Sequence, residues 1–423
     1  MFPSIRSINR TSRELLRECR RQISKTSTAT NSDAITRQQA TELNQNTPNK
    51  WMRMNRHNNN RALSTIQTKA KPQPGAYNLV TKDESREFMA VFPDIVRDLT
   101  DAGRQTDIPE VTKRYAKVLH YNVPNGKKNR GLATVVSYKM LEKEENLTPE
   151  TIRLANIMGW CVELLQGYFI VNDDIMDRSE MRRGAPCWYK KEDVGLAAIN
   201  DAILIKEAIY TLLKRHFSNH HCYVPTMELF HDVALKTTMG QALDCMFTQG
   251  GKPNLELFTM NKYNSIVKYK TAYYTFQLPM ALAMYMANLY DPEMHRQAKT
   301  ILMEMGQFFQ IQDDFLDCFG DPAVTGKRGN DIREGKCSWL AVVALQRATP
   351  AQRKIMEENY GRPDPEAEKI IRNLYEELSL PNTYSIYEEE SFNIIRTHIH
   401  QISKGLPHKL FFKMMEKIYR RDC

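Results

Sequence analysis

Long stretches of the chain place apolar residues at helical spacing, and few segments alternate strictly between apolar and polar positions. Thr148, Pro149 and Glu150 mark a helix start, because a threonine N-cap, a first-turn proline and a first-turn acid all favour a helix N-terminus. The helix that follows, from Ile152 to about Val171, is apolar on nearly every side, as expected in the middle of a bundle. Similar patterns predict further helices over 194–216, 224–247, 261–288 and 295–319.

Composition agrees with a helical architecture. Glycine (18 residues) and proline (19 residues) are sparse for a chain of 423 residues. Hydrophobic residues make up 42% and charged residues 26%, which is ordinary for a soluble globular protein. Several prolines separate the predicted helices and indicate loops, namely Pro292, Pro322, Pro350, Pro363 and Pro365. We therefore predict an all-α fold in the form of a single large helical bundle.

The beginning of the chain differs from the rest. Residues 1–80 contain 14 Lys and Arg but four acids, a net charge of +10, so the remaining residues sum to about −1 of the total of +9. Arginines three or four residues apart in a Ser/Thr-rich, acid-poor opening are typical of a mitochondrial transit peptide; these are Arg6, Arg10, Arg13, Arg17, Arg20 and Arg21. We predict a basic disordered tail over 1–71 and a folded domain over 72–423.

The tail leaves the cellular location of the protein open. One interpretation is mitochondrial targeting, as the arginine pattern indicates, and the alternative is a solvated tail with no address. A start at Met52 or Met54 would give a shorter cytoplasmic form. The eight cysteines form no CxxC pair, which favours a reduced intracellular protein.

The rest of the chain gives little reason to expect macromolecular or membrane partners. Its near-neutral charge argues against a nucleic-acid-binding surface. No apolar run is expected to reach the roughly 18 residues that span a bilayer, and the longest candidate, Leu278 to Leu289, is interpreted as a buried helix. We therefore expect no nucleic-acid partner and no stable membrane insertion.

Two acidic motifs carry the strongest chemical signal. The segments 173–177 and 313–317 both have the pattern DDxxD, and each follows a long apolar stretch. Residues four apart lie on one face of a helix, so each motif presents a small cluster of carboxylates. Crowded carboxylates need a counter-charge when they are buried, and Mg²⁺ prefers a few carboxylates together with substrate phosphate oxygens. The two motifs therefore predict a metal–diphosphate site.

Basic residues accompany both motifs. Arg182 and Arg183 follow the first, and Lys327 and Lys336 follow the second. Upstream, the segment 126–131 is a basic loop bounded by glycines, which allow close backbone approach while Lys and Arg supply charge to a phosphate. Alone, such a loop is usually only solvated. Together with the aspartates, it indicates a binding site for phosphorylated substrates.

From about residue 80 to residue 421 the chain resembles the trans-prenyl diphosphate synthases, and most of all the animal members that make farnesyl diphosphate. The matching segments are long and occur in the order of the family. They are GKKNRG (126–131), LLQGYFIVNDDIMDRSEMRRGAPCWY (164–189), TTMGQALD (237–244), KYKTAYYTFQLP (268–279), GQFFQIQDDFLDCFGDPAVTGKRGNDI (306–332) and KCSW (336–339). The resemblance implies an isoprenoid-synthase-like bundle with two DDxxD helices facing a central cavity, and a homodimer.

The resemblance also implies roles for individual residues. Asp173, Asp177 and Asp313 would bind about three Mg²⁺ ions with the allylic diphosphate, with Mn²⁺ possible, supported by Asp174, Asp314 and Asp317. The allylic diphosphate would be bound by Arg182, Lys270, Thr271, Gln310, Lys327 and Lys336, of which Lys270, Thr271, Gln310 and Lys327 are catalytic candidates. Asp331 would orient one of these cations. Isopentenyl diphosphate would occupy a metal-free pocket formed by Lys127, Arg130, Gln166 and Arg183, and Arg421 would close over it.

The implied reaction is ionisation of dimethylallyl or geranyl diphosphate, condensation with isopentenyl diphosphate and elimination of a proton to give (2E,6E)-farnesyl diphosphate. Tyr168 and Phe169, about one turn before Asp173, would form the floor that limits chain length. A raised floor would give geranyl diphosphate instead. Without the flanking motifs, Thr271 and Gln310 would be interpreted as helix packing, and the two aromatic residues as core.

One departure and three alternative functions remain open at the level of the sequence. Asn172 places a polar group directly before the first DDxxD, where a small or apolar residue is more usual in the family. A terpene synthase of the same fold would ionise a prenyl diphosphate without condensation, but it has no use for an isopentenyl diphosphate pocket. A non-catalytic relative would have lost aspartates or cations, and an RNA-binding protein would carry a basic body.

Overall fold

The computed structural model describes residues 80–104, 107–248, 253–321, 329–403 and 405–419, and side chains within these ranges except for 102–104 and 248. All of them belong to one compact unit, Pro74–Cys423. The predicted tail over 1–71, with its transit-peptide signal, lies outside the described residues. So do Lys327 and Arg421.

The described chain is almost entirely helical, which confirms the all-α prediction. The helices, in chain order, are α1 Lys82–Arg104, α2 Pro109–Asn122, α3 Asn129–Leu141, α4 Pro149–Met176, α5 Ala198–Phe217, α6 Tyr223–Thr248, α7 Met260–Ile266, α8 Leu278–Met286, α9 Pro292–Phe319, α10 Asp331–Glu334, α11 Trp339–Arg347, α12 Pro350–Asn359, α13 Pro365–Glu377, α14 Leu380–His400 and α15 His408–Ile418. Short 3₁₀ turns cover Glu144–Asn146, Trp188–Lys190, Gly195–Ala197 and Leu255–Leu257.

Helix α4 lies at the centre of the bundle and packs against α1, α3, α5 and α8. It begins as the sequence predicts: the Thr148 hydroxyl accepts a hydrogen bond from the Thr151 N–H at 3.2 Å, and the Thr151 hydroxyl accepts one from the Thr148 N–H at 3.0 Å. This reciprocal cap satisfies backbone donors that the first turn leaves free. The cap therefore sets where α4 begins, while burial on all sides holds the helix in the core.

Helix α4 also corrects the expectation about apolar length. Pro149–Met176 is long and apolar enough to cross a bilayer, whereas the sequence-based expectation was that no segment approached this length. Within the apolar window, 72% is buried inside the protein. A core helix meets the same criterion as a membrane span, so the finding is weak evidence for a membrane and is explained by the central position of α4.

A π-helical segment, Val267–Gln277, joins α7 to α8. Two glycines allow neighbouring helices to approach it closely. A Cβ on Gly240 of α6 would collide with the backbone N of Lys270, and a Cβ on Gly306 of α9 would collide with the Cβ of Ala272. The segment is thus enclosed between α6 and α9. Wide π turns are rare and occur frequently at functional sites.

A small hairpin follows α4. Strand β1, Met181–Arg182, pairs antiparallel with β2, Ala185–Pro186, so that Arg182 lies opposite Ala185. The two residues between the strands, Arg183 and Gly184, have φ values of 55° and 76°. Positive φ at both central residues is the geometry of the two-residue turns that match strand twist. Arg182 therefore lies in strand β1, and Arg183 lies in the turn that follows it.

Candidate active site

A cavity of about 1180 Å³ opens among α4, α6, the π-helical segment, α9 and the segment from Asn330 to Ser338. Both DDxxD helices contribute to its walls, through Asp173 and Asp177 on one side and Asp313 and Asp314 on the other. The structure therefore brings together motifs that are about 140 residues apart in the chain. Bundle helices commonly form a site in this way, from side chains on facing surfaces.

The three aspartates of the first motif have different surroundings. Asp173 accepts a hydrogen bond from the Gln241 side-chain amide at 3.0 Å. Asp174 is 2% exposed and accepts a hydrogen bond from the Arg182 Nε at 2.8 Å. Asp177, at the C-terminal end of α4, accepts a hydrogen bond from the Lys336 Nζ at 2.7 Å. Asp174 is thus committed to Arg182, while Asp173 and Asp177 line the cavity.

The electrostatic environment separates these carboxyls further. Burial alone would raise the pKa of Asp173, but Lys270, Lys336 and Arg182 outweigh it and lower that pKa. Burial raises the pKa of Asp177, and the neighbouring charge of Asp173 raises it further. Asp173 therefore stays ionised most readily, which suits a carboxylate that faces a cation.

Two buried lysines lie between the motifs and share a carboxylate. The Lys270 Nζ donates to Asp244 Oδ2 at 2.6 Å and lies 3.4 Å from Asp173 Oδ1. The Lys336 Nζ lies 3.3 Å from the same Asp244 oxygen. Burial opposes ionisation of Asp244, but the two ammonium groups dominate and lower its pKa to about 2. Asp244 thus keeps both lysines charged and fixed beside the cavity.

The aspartates of the second motif divide between the cavity and the framework. Asp313 is half-buried and lines the cavity. Asp314 is 5% exposed; it accepts hydrogen bonds from the Tyr263 hydroxyl at 2.7 Å and from the Trp339 N–H at 2.8 Å. Asp317 Oδ2 accepts the N–H groups of Asn330 and Asp331, each at 3.0 Å. Asp314 and Asp317 therefore hold α9 to the segment that carries Lys336.

Gln310 and Thr271 are joined across the cavity wall. The Thr271 hydroxyl donates to Gln310 Oε1 at 2.8 Å, and the Gln310 amide donates to Asp314 Oδ1 at 2.9 Å. This chain runs from the π-helical segment to the second motif. Because the Thr271 hydrogen is used on Gln310, the oxygen lone pairs of Thr271 remain available to a neighbouring group.

A second group of cations lies apart from the aspartates. Arg130 donates to the hydroxyls of Thr275 and Tyr274, both at 3.0 Å, and its guanidinium lies over the Tyr274 ring at 4.6 Å. Arg183 lies against Gly126, since a Cβ on that glycine would be 2.6 Å from Arg183 Nη2. Both arginines and Gln166 line the cavity.

Gln166 and Lys127, the other residues expected in this group, make fewer contacts within the protein. The Gln166 Oε1 is buried without a hydrogen-bond partner in the protein, which is costly unless a ligand or water satisfies it. Lys127 is exposed and does not line the cavity, whereas its neighbour Lys128 donates to the Pro124 and Gly126 carbonyls at 3.1 and 2.6 Å. The structure therefore brings Arg130, Gln166 and Arg183 together and leaves Lys127 at the rim.

An aromatic cluster covers one end of the cavity wall. The rings of Tyr168 and Phe169 are 5.1 Å apart, and Phe169 makes an edge contact with Tyr274 at 5.4 Å. Asn172 lines the same cavity and donates to the Tyr168 carbonyl at 2.8 Å. The polar side chain of Asn172 is thus satisfied within its own helix.

The donor set suits a metal ion that is shared with a ligand. Over the described parts of the chain, no three His, Cys, Asp or Glu side chains lie close enough to bind a metal by themselves. Asp173, Asp177 and Asp313 nevertheless line one cavity together with Lys270 and Lys336. Mg²⁺ typically takes one or two carboxylates, waters and substrate phosphates rather than a complete protein cage. Asp173, Asp177 and Asp313 therefore fit a divalent cation that completes its ligands from a bound substrate, and they would hold it on the cavity wall.

Three residues of the site were not predicted individually from the sequence. Asp244 and Gln241 lie within the segment 237–244, which carried part of the resemblance but no assigned role. Glu163 is a single acid on an apolar helix, to which no role was assigned. Their positions depend on contacts between helices, so only the buried charge of Glu163 in an otherwise apolar stretch could have attracted notice.

Comparisons with known proteins agree with this geometry. A family model described as polyprenyl synthetase matches residues 112–378. Farnesyl pyrophosphate synthase of Murgantia histrionica is 51% identical over 362 residues, which cover 85% of this chain and 87% of the relative. The protein of the same name from Homo sapiens is 48% identical over 343 residues, 81% and 82% of the two chains.

The fold comparison gives the same answer. The structure of T. Brucei farnesyl diphosphate synthase complexed with risedronate matches with a TM-score of 0.74 and 32% identity, over 80% of this chain and 99% of that one. With both DDxxD motifs on one cavity, the chain belongs to the polyprenyl synthetase family, and its relatives over most of its length are farnesyl pyrophosphate synthases.

Proposed function

We propose that the protein is a Mg²⁺-dependent farnesyl diphosphate synthase, which condenses dimethylallyl and then geranyl diphosphate with isopentenyl diphosphate. Membership of the family implies a divalent metal ion and diphosphate substrates. The observation that carries the proposal is one cavity with two separate cationic groups: Lys270, Lys336 and Arg182 beside the aspartates, and Arg130 with Arg183 beside Gln166. A condensation needs two diphosphate sites, and these two groups would supply them.

The group beside the aspartates would bind the allylic diphosphate. Mg²⁺ held by Asp173, Asp177 and Asp313 would neutralise the leaving group, with about three ions expected by resemblance. Lys270 and Lys336 keep their charge because Asp244 holds them, so they supply fixed positive charge where negative charge develops as the C–O bond breaks. Lys327 would add to this set.

The allylic cation formed by that cleavage needs stabilisation without capture. The Thr271 hydroxyl oxygen and the Gln310 side chain face this region and are held by each other. Their dipoles would stabilise positive charge without supplying an anionic nucleophile that would capture the cation. The cation then alkylates the double bond of isopentenyl diphosphate, a C–C bond forms, and a proton leaves the new chain.

The acceptor diphosphate would be bound by Arg130, Arg183 and Gln166, with Lys127 closing from the rim and Arg421 proposed to cover it. Arg130 is held by the hydroxyls of Thr275 and Tyr274 rather than by a carboxylate, and arginines bind phosphate groups directly, so a metal-free diphosphate site fits this group best. The site also separates the proposal from a terpene synthase, which would have no use for it. Retention of all six DDxxD aspartates argues against a non-catalytic relative.

Chain length would be set by Tyr168 and Phe169. Their packed rings lie on the wall near Tyr274 and would stop the growing chain at fifteen carbons by resemblance. Geranyl diphosphate is the alternative product if the aromatic cluster stops growth one unit earlier.

Product analysis tests the proposal directly. Purified protein is incubated with Mg²⁺, isopentenyl diphosphate and either dimethylallyl or geranyl diphosphate, and the products are separated by chain length. Farnesyl diphosphate from both allylic substrates is expected. A volatile hydrocarbon without a longer diphosphate would overturn the proposal, and accumulation of geranyl diphosphate alone would favour the alternative.

Assembly and address are further parts of the proposal. A homodimer is supported by the resemblance and by apolar side chains that remain exposed on α5 and α6, including Ile199, Ile203, Leu235 and Met239. Sedimentation velocity would show a dimer mass, and a monomer would exclude it. A mitochondrial address for residues 1–71 is tested by fusing them to a fluorescent protein, with a chain beginning at Met52 as the cytoplasmic comparison.

A further inference from the structure

Glu163 is a buried carboxylate to which the proposed reaction assigns no role. It lies on α4, about one turn before Gln166, and is 3% exposed. Burial raises its pKa, whereas the Gly131 N–H and the charges of Arg130, Arg183 and Lys128 act in the opposite direction. A buried acid is retained in a core only where its surroundings compensate the charge.

The carboxylate of Glu163 binds the start of another helix. Its Oε1 accepts the Gly131 N–H at 2.8 Å. Gly131 is the third residue of α3, so its N–H is one of those that the helix itself leaves without a partner. The backbones are in close contact at this point, since a Cβ on Gly131 would be 2.7 Å from the Gly159 carbonyl oxygen. Glu163 therefore fixes the N-terminus of α3 to α4.

The segment fixed in this way is the basic loop, residues 126–131. Arg130 is held by the hydroxyls of Tyr274 and Thr275, and Lys128 by backbone carbonyls. Arg183 packs against Gly126 of the same loop. Among the residues that the structure describes, no carboxylate lies within 4.0 Å of these three cations. These cations are held by neutral oxygens or by packing, and their positive charge can therefore attract an anion.

We infer that Glu163 is a positioning residue for the acceptor diphosphate pocket. Its hydrogen bond to Gly131 sets the place of the basic loop, and hence of Arg130, relative to Gln166 and Arg183. Glu163 binds the loop through the backbone N–H of Gly131, and no ion pair among the described residues of the loop has to break when the diphosphate binds. This inference rests on the proposed function, because it concerns the pocket that takes isopentenyl diphosphate.

A matched pair of substitutions separates the hydrogen bond from the charge. Glu163→Asp keeps the charge but shortens the side chain by one methylene group, so that the carboxylate no longer reaches Gly131. Glu163→Gln keeps the length and an acceptor oxygen but removes the charge. We expect Glu163→Asp to raise the KM for isopentenyl diphosphate about tenfold, the cost of one buried hydrogen bond. The KM for geranyl diphosphate should change less than about twofold.

Glu163→Gln should restore the KM for isopentenyl diphosphate to within about threefold of the wild-type value, because its amide oxygen can still accept the Gly131 N–H. Both KM values are measured at saturating Mg²⁺ and co-substrate on the full chain, with melting temperatures recorded alongside. A lower melting temperature without a selective change in KM would show a purely structural role and overturn the inference. Equal impairment of both variants would also overturn it. Failure of the wild-type protein to condense isopentenyl diphosphate would instead overturn the proposed function.

Discussion

Lys336 and Asp177 are joined by a hydrogen bond of 2.7 Å although they are 159 positions apart in the chain. Asp177 ends the helix that carries the first DDxxD motif, and Lys336 lies beyond the second motif. Lys336 is in turn positioned by the segment that Asp314 and Asp317 hold in place. The two motifs are therefore linked through a cation before any substrate is present.

Removal of this link should impair use of the allylic substrate. For Lys336→Gln we expect kcat/KM for geranyl diphosphate to fall about 10²-fold, because a fixed charge beside the leaving group is lost. Steady-state kinetics at saturating isopentenyl diphosphate provide the measurement. Lys117→Gln is the control, since Lys117 forms an exposed ion pair with Asp193 at 2.6 Å, and exposed pairs contribute little. Similar kinetics for the two variants would contradict the assignment.

The metal assignment predicts a loss of turnover without a loss of folding. Asp173→Asn or Asp313→Asn should lower kcat by about 10²-fold or more, since each removes a ligand for the ion that neutralises the leaving group. Circular dichroism should show native helix content. The exposed Asp83, which pairs with Arg86, gives the control Asp83→Asn. Turnover near the wild-type rate for either cavity variant at saturating Mg²⁺ would exclude that carboxylate as a ligand.

The aromatic cluster predicts control of product length. Phe169→Ala removes the ring that packs between Tyr168 and Tyr274, so the cavity becomes deeper and products longer than fifteen carbons are expected. Phe169→Tyr keeps a ring of similar shape and should leave the product unchanged. Chromatography of the dephosphorylated products measures both. If the alanine variant makes the wild-type product alone, Phe169 does not limit chain length.

The environment of Asp244 predicts a pH dependence of stability. Although burial disfavours its charge, Lys270 and Lys336 lower its pKa from 3.8 to about 2. A carboxyl whose pKa is lower in the folded state stabilises that state above the unfolded pKa, and this stabilisation is lost as pH falls through the folded value. At neutral pH the contribution is about 2 kcal/mol.

The measurement is the difference in the free energy of unfolding between the wild type and Asp244→Asn, taken from denaturant titrations over a series of pH values. The difference should be constant from neutral pH down to about 5 and should shrink between about pH 4 and pH 2. A difference that does not depend on pH would exclude this electrostatic contribution.

The contact between α3 and α4 predicts a steric effect. In Gly159→Ala, the new Cβ would be 2.6 Å from the Gly131 carbonyl oxygen and 2.8 Å from the Phe88 ring. Overpacking of this kind should lower the free energy of unfolding by about 3 kcal/mol. Gly167→Ala is a matched control on the same helix, because its Cβ would approach nothing closer than 3.4 Å. Equal melting temperatures for the two variants would show that the helices can separate at no cost.

The sequence alone predicted the helical architecture well. Thr148 and Thr151 cap α4 as the Thr-Pro-Glu pattern indicates, and four of the five predicted bundle helices are present with small shifts at their ends. These features depend on local signals, such as capping residues and helical spacing. The continuous helix predicted over 261–288 instead contains the π-helical segment Val267–Gln277, because its geometry depends on close packing by Gly240 and Gly306.

The site was predicted less evenly. Asp173, Asp177, Asp313 and Arg182 line one cavity, and the acidic and basic motifs that contain them carry a chemical signal in the sequence. The pairing of Asp244 with two lysines could not be predicted, since it joins three elements that are distant in the chain. The expectation that no apolar run approaches the length needed to span a bilayer was wrong for α4, because its interior glycine and polar residues concealed a high average hydropathy.

The hairpin turn at Arg183 and Gly184 has a consequence for the distance between the two proposed substrates. Arg182 binds the first aspartate motif, whereas Arg183, with its positive φ, packs on the basic loop. Consecutive Cα atoms are separated by about 3.8 Å at all times. In the proposed function, two consecutive residues therefore each contribute to binding one of the two reacting diphosphates. Thermal motion of the helices can widen or narrow the cavity, but the two Cα atoms from which these side chains extend keep their spacing.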